Sequence, residues 1–232
     1  MIILGILLLY VIAQSLYSGY FLLASKKLST ATFPKSLIVG DSKSPALKLF
    51  ISGDSVAAGV GASTFEKSVS GRIAQYLAKD HTVLFQNEAV SGAAMSQLLT
   101  MPLPKEKQDV IILIISSNDL FRFSEINEFK RNTEKVLKRY SPQADTLILV
   151  GPGRVFDGEA LPYFLRMYYK FKAPQYSQVL ASFAREDPHV IYIDPTTADF
   201  YKDSYGPTTA ADKFHPNDEG HRLWFDLIRP AL

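Results

Sequence analysis

Apolar residues follow two rhythms along this chain. Short apolar-rich runs occupy 48–52, 82–86, 109–115, 145–150 and 190–193, and several are continuous. Such runs, bounded by polar turns, predict strands buried on both faces. Between them the spacing changes to three and four. Phe65, Val69, Ile73, Tyr76 and Leu77 share one helical face; Ile126, Phe129, Val136, Leu137 and Tyr140 share another. A last helix is predicted to begin near Pro216-Asn217, with Leu223, Trp224, Leu227 and Ile228 as its buried stripe. Strand and helix alternate from Leu47 onward, which predicts an α/β fold with a parallel sheet covered by helices. Ligands of such sheets bind beyond the carboxyl ends of the strands.

The first stretch has neither rhythm. Ile2 to Ser25 carries no charge and is apolar on every face through Ala13; Lys26 and Lys27 end it. As a helix, 24 residues span about 36 Å, against about 30 Å for a bilayer core. Residues 1–25 are therefore expected to form a single transmembrane helix, making the protein membrane-anchored. A cleaved signal peptide is the competing reading, but a basic leader and a clear small-x-small cleavage site are both missing. Residues 26–46, rich in Ser, Lys, Thr and Pro, are expected to be a linker in which Leu37-Ile38-Val39 forms a short ordered piece. Residues 47–232 are expected to be the globular domain.

Composition narrows the chemistry. A net charge of +2 provides no field to draw nucleic acid. The absence of cysteine excludes disulfides, thiolate catalysis and Cys-based zinc sites. His81, His189 and His221 are isolated, without metal-ligand spacing to an acidic partner, so no metal is expected. His221 reads as a surface or packing residue of the last helix. Tyr163 to Lys172 mixes aromatics with three cations and fits an amphipathic helix or an acyl-binding, membrane-facing lid.

Three short motifs remain. Gly53-Asp54-Ser55 follows the run ending at Ile51. Ser116-Ser117-Asn118-Asp119 follows the run ending at Ile115. Asp212-Lys213-Phe214-His215 precedes the last helix. They supply a serine, an amide donor, an aspartate and a histidine at or beyond element ends, the groups needed to hydrolyse an ester or amide through a serine nucleophile. The loop after Ser55 matches neither the Walker nor the dinucleotide glycine pattern, and the G-x-S-x-G elbow is absent. Pro216 holds His215 in extended conformations, ahead of the helix rather than inside it. Taken alone, each motif also fits an ordinary turn or helix cap.

Together with Asn87 and Gly92, and in this order, the motifs resemble the SGNH (GDSL) hydrolase family from Leu47 to the C-terminus. The resemblance implies a flavodoxin-like three-layer α/β/α sandwich and a serine esterase needing no cofactor. Ser55 would be the nucleophile, His215 its base and Asp212 the orienter of the imidazole. The oxyanion hole would use the backbone N–H groups of Ser55 and Gly92 and the side chain of Asn118. One departure stands out: the family usually has glycine two residues before the Asn, where this chain has Ser116. Asp54 and Asp119 would brace their loops. The expected substrate is a lipid acyl ester or a glycan acetyl ester. An acyltransferase using the same triad and a non-catalytic binding module of the same fold are the alternatives.

Overall fold

A computed structural model describes residues 2–28, 33–197 and 206–232. The helices are α1 (Ile2–Leu28), α2 (Val69–Leu77), α3 (Ser117–Phe121), α4 (Ile126–Tyr140), α5 (Tyr163–Glu186) and α6 (Asp218–Ile228). The strands are β1 (Ser36–Val39), β2 (Ala46–Gly53), β3 (Thr82–Asn87), β4 (Gln108–Ile114), β5 (Ala144–Val150) and β6 (Val190–Ile193). They form one sheet in the order β1-β3-β2-β4-β5-β6. All neighbours are parallel except β1, which runs antiparallel to β3 from Ser36 opposite Gln86 to Val39 opposite Val83.

The central strands β2, β4 and β5 bury both faces over their carboxyl halves. Ile111 and Leu113 of β4 join Phe50, Leu147 and Leu149 against Phe129, Val136 and Tyr140 of α4 and Leu180 of α5. Ile112 and Ile114 point the other way, joining Leu49, Ile51 and Val150 against Val69 and Ile73 of α2 and Trp224 and Ile228 of α6. The alternation of side chains across a strand makes this two-sided core, and each fully buried aliphatic side chain contributes roughly 1.5–3 kcal/mol. The result is three layers, helices on both faces of the sheet. The β2–β6 strands follow the order 2-1-3-4-5, whose switch point lies between the first strand, β2, and its neighbour β4.

Three expectations change. First, the short ordered piece expected at Leu37-Ile38-Val39 within residues 26–46 is an edge strand of the sheet, β1. Second, α5 runs for 24 residues, well beyond the Tyr163–Lys172 segment, and carries Pro174 inside it. Third, the single-pass membrane anchor expected from residues 1–25 is corrected, and with it the membrane-anchored localisation. Residues 2–28 are helical, but among the described residues no helix is long and apolar enough to cross a membrane. Gln14, Ser15, Ser18 and Gly19 break the apolar surface of α1, and three of these four line the cavity described next.

Candidate active site

The carboxyl ends of β2 and β4 meet at Gly53. Its φ of +144° and the position of Ile114 leave no room for a side chain: an added Cβ would lie 1.9 Å from the Ile114 carbonyl oxygen. The same oxygen accepts the Asp54 N–H at 2.9 Å. The chain then turns sharply. Asp54 Oδ1 accepts the Val56 N–H at 2.9 Å, an Asx turn that presents Ser55 at the sheet's end. Ala57 O accepts bonds from Ser70 of α2 and Asn87 at the end of β3, pinning the loop from behind.

Gly92 and Asn118 come from the next two connections. Gly92 has a φ of +81°, and a Cβ there would meet nothing within 4 Å, so its face is open. Asn118, in the first turn of α3, donates one Nδ2 hydrogen to Ala93 O at 2.9 Å, leaving its second hydrogen for another acceptor. Asp119 Oδ2 accepts the Met95 N–H at 2.8 Å. These two bonds clamp the Gly92 loop to α3. Among the described residues, the backbone N–H groups of Ser55 and Gly92 donate to no other protein group.

The turn before α6 supplies the remaining pair. Asp212 is fully buried. Its Oδ1 accepts the N–H groups of Phe214 and His215, and its Oδ2 lies 2.5 Å from His215 Nδ1. Lys213 takes the left-handed conformation, φ 58°, that closes this turn. Phe214 meets the His215 ring edge-on at 5.1 Å between centroids. Pro216 follows, and Asn217 caps α6 through Glu219 and Gly220 N–H.

Burial sets the electrostatics. It pushes Asp54 up to about 7, against the lowering effects of the Val56 N–H and of nearby His215. It likewise pushes Asp119 up to about 6, against the Met95 N–H and Arg122. At Asp212 burial also acts upward, but the bonds from His215 and Phe214 outweigh it and hold the carboxyl below the usual range.

Ser55, Gly92, Asn118, Asp212 and His215, drawn from four separate segments, line one cavity of about 770 Å³. Among the described residues no hydrogen bond joins the Ser55 hydroxyl to the His215 ring; nucleophile–base contacts are often loose before substrate binds. Nor, among the described residues, is any group of three or more His, Asp or Glu placed to hold a metal ion. The rest of the lining is mostly apolar, with Phe121, Val155, Leu161, Phe164, Leu165, Phe214, Leu223 and Trp224, but it also includes Ser117, Arg154, Thr208 and Thr209. At the start of α5, Phe164 and Leu165 line the cavity, while Tyr163, Met167 and Phe171 face solvent.

The GDSL-like Lipase/Acylhydrolase family model matches residues 51–223, most of the chain. The chain belongs to that family. It is an enzyme, a serine ester hydrolase of the GDSL type. Solved structures carry the same fold. TesA superposes with a TM-score of 0.62 at 19% identity, over 80% of this chain and 97% of that one. An acetylxylan esterase from Geobacillus stearothermophilus gives 0.61 at 18%, over 82% and 95%. An extracellular lipase from Streptomyces rimosus gives 0.56 at 16%, over 80% and 100%. No curated protein matches the chain.

Several cavity residues left no signal in the sequence. Ser15, Ser18, Gly19 and Phe21 of α1 line it, although α1 shows no periodicity to mark an inward face. His221 is fully buried: its Nδ1 accepts the Val69 N–H at 3.3 Å, and its Nε2–H donates to Val60 O at 3.0 Å. A backbone N–H can only donate and a carbonyl only accept, so this tautomer is fixed. Its role is packing, tying the loop after Ser55 to α2 and α6.

Proposed function

We propose that this enzyme hydrolyses carboxylic esters of apolar acyl groups through an acyl-enzyme on Ser55. The observation that carries the reading is that Ser55 and the Asp212–His215 pair open onto one cavity whose lining is mostly aromatic and aliphatic. In this reading the Ser55 hydroxyl attacks the ester carbonyl while His215 Nε2 takes its proton. Asp212 Oδ2 holds the Nδ1–H, which keeps Nε2 free to accept. Negative charge on the carbonyl oxygen is met by the N–H groups of Ser55 and Gly92 and the second Nδ2 hydrogen of Asn118. Collapse expels the alcohol, which takes its proton from His215. Water then attacks the acyl-enzyme by the same route in reverse and frees the carboxylic acid. In this reading every step moves protons and electron pairs among the protein's own groups, the ester and water, and none calls for a cofactor.

The cavity favours an acyl chain over an acetyl group. Its volume lies in the range of about 300–1,000 Å³ typical of small-molecule sites, and apolar walls contribute through burial of apolar substrate surface. An acetyl group on a glycan, the kind of substrate named for the Geobacillus neighbour, leaves those walls unused. The test is a panel of p-nitrophenyl esters from acetate to dodecanoate with wild-type enzyme and Ser55→Ala, assayed with and without an added acceptor alcohol. Rising kcat/KM with chain length, its abolition in Ser55→Ala and free acid as the product support the reading. Undiminished turnover in Ser55→Ala would refute it, and an ester formed on the added alcohol would make the enzyme an acyltransferase.

A further inference from the structure

We propose that α1 is a wall of the acyl cavity and that Gly19 sets how long an acyl chain can enter. The inference rests on the reading of this cavity as an ester site. Ser15, Ser18 and Gly19 are spaced three and four residues apart and therefore share one helical face. All three line the cavity that contains Ser55 and His215, and Phe21 joins them. A Cβ built on Gly19 would meet nothing within 4 Å, so a side chain there has open space beside a residue that lines the cavity. Ser15 Oγ is satisfied within the helix, donating to Val11 O at 2.8 Å. Ser18 Oγ is different: it is buried and, among the described residues, has no hydrogen-bond partner. A buried hydroxyl left unpaired costs roughly 1–3 kcal/mol. One face of α1 thus combines open space at Gly19 with one unpaired buried hydroxyl, on the wall of the cavity that contains the candidate nucleophile.

The glycines of α1 provide a matched experiment. Gly5 also has nothing within 4 Å of a built Cβ but does not line the cavity. Phenylalanine has a higher helix propensity than glycine, so neither Gly19→Phe nor Gly5→Phe threatens the helix. Binding is read with dansyl-labelled undecanoic acid, whose fluorescence needs no catalysis, and turnover with p-nitrophenyl acetate and decanoate. Gly19→Phe is expected to weaken probe binding and decanoate kcat/KM about tenfold or more, with acetate changed less than about twofold. Gly5→Phe is expected to match wild type in every assay. Equal behaviour of the two variants toward probe and decanoate would overturn the proposal. Turnover surviving in Ser55→Ala would instead remove the serine-ester reading, and probe binding by the full-length variants would still decide whether α1 is a wall.

Discussion

Asp212 holds His215 at two points: Oδ2 lies 2.5 Å from the imidazole Nδ1, and Oδ1 accepts the His215 backbone N–H at 3.0 Å. One carboxylate therefore fixes both where the histidine sits and which ring nitrogen bears hydrogen. Asp212→Asn separates the two. An Asn Oδ1 still accepts the backbone bonds, but its NH₂ would face Nδ1 and favour the tautomer with hydrogen on Nε2. In serine-protease triads this change lowers kcat about 10⁴-fold. A loss of that order, with an unchanged melting temperature, is the expected outcome in steady-state ester assays. A fall of only a fewfold would remove Asp212 from the mechanism.

Ser116, two residues before Asn118, adopts φ 95° while fully buried. A side chain in this left-handed region costs about 1–2 kcal/mol. Ser116→Gly relieves that strain at the residue capping the helix of Asn118. The expected result is a melting temperature higher by roughly 2–4 °C with ester turnover retained. Calorimetry checks the first part and kcat the second. A lower melting temperature would show that the buried Ser116 hydroxyl, which bonds the Ile115 carbonyl, outweighs the strain.

Asn118 and Asp119 lie side by side and predict different phenotypes. Asn118→Ala should lower kcat about 10²–10³-fold with little change in KM, because the amide would act on charge that develops only in the transition state. Asp119→Ala strands the Met95 N–H at a cost of roughly 1–3 kcal/mol, so it should lower the melting temperature together with kcat. Kinetics and thermal melts on both variants decide. Equal loss of stability in the two would argue that Asn118 only clamps the Gly92 loop.

His221 predicts an acid-dependent stability. Burial, only partly offset by its bond to Val60, pushes it from 6.5 down to about 4. The folded pKa is depressed, so the unfolded chain binds the proton more readily. The stability gained from keeping this residue neutral is fully present above 6.5 and is lost as pH falls toward 4. Asp54 runs the other way, being raised from 3.8 to about 7, so the total slope mixes the two. His221→Gln removes only the first. Urea melts should show wild type losing stability relative to the variant as pH drops from 6.5 to 4. A difference between them that is independent of pH would exclude His221 titration.

The parts of this structure legible in the sequence are those specified locally. The buried strands announce themselves as apolar runs because both faces pack. The loop chemistry at Asp54 and Asp212 is readable because an Asx turn and a three-residue spacing need no distant partner. β1 was legible only in part: Leu37-Ile38-Val39 stands out as an ordered piece, but four residues exposed on alternate positions do not announce that β3 pairs with them at the sheet edge. Pro174 disguised the length of α5. The docking of α1 could not be read at all: Ser15, Ser18 and Gly19 show in the sequence as breaks in its apolar surface, but only the cavity reveals what they face.

The central claim, that Ser55 carries the acyl group, has one direct measurement. The full chain is treated with a fluorophosphonate probe and the adduct is mapped by peptide mass spectrometry. A single adduct is predicted on Ser55, absent from Ser55→Ala and formed far more slowly in His215→Ala, because proton removal by His215 is what activates the hydroxyl. An unmodified Ser55 in enzyme that the probe has inactivated, with the adduct on another residue, would contradict the account.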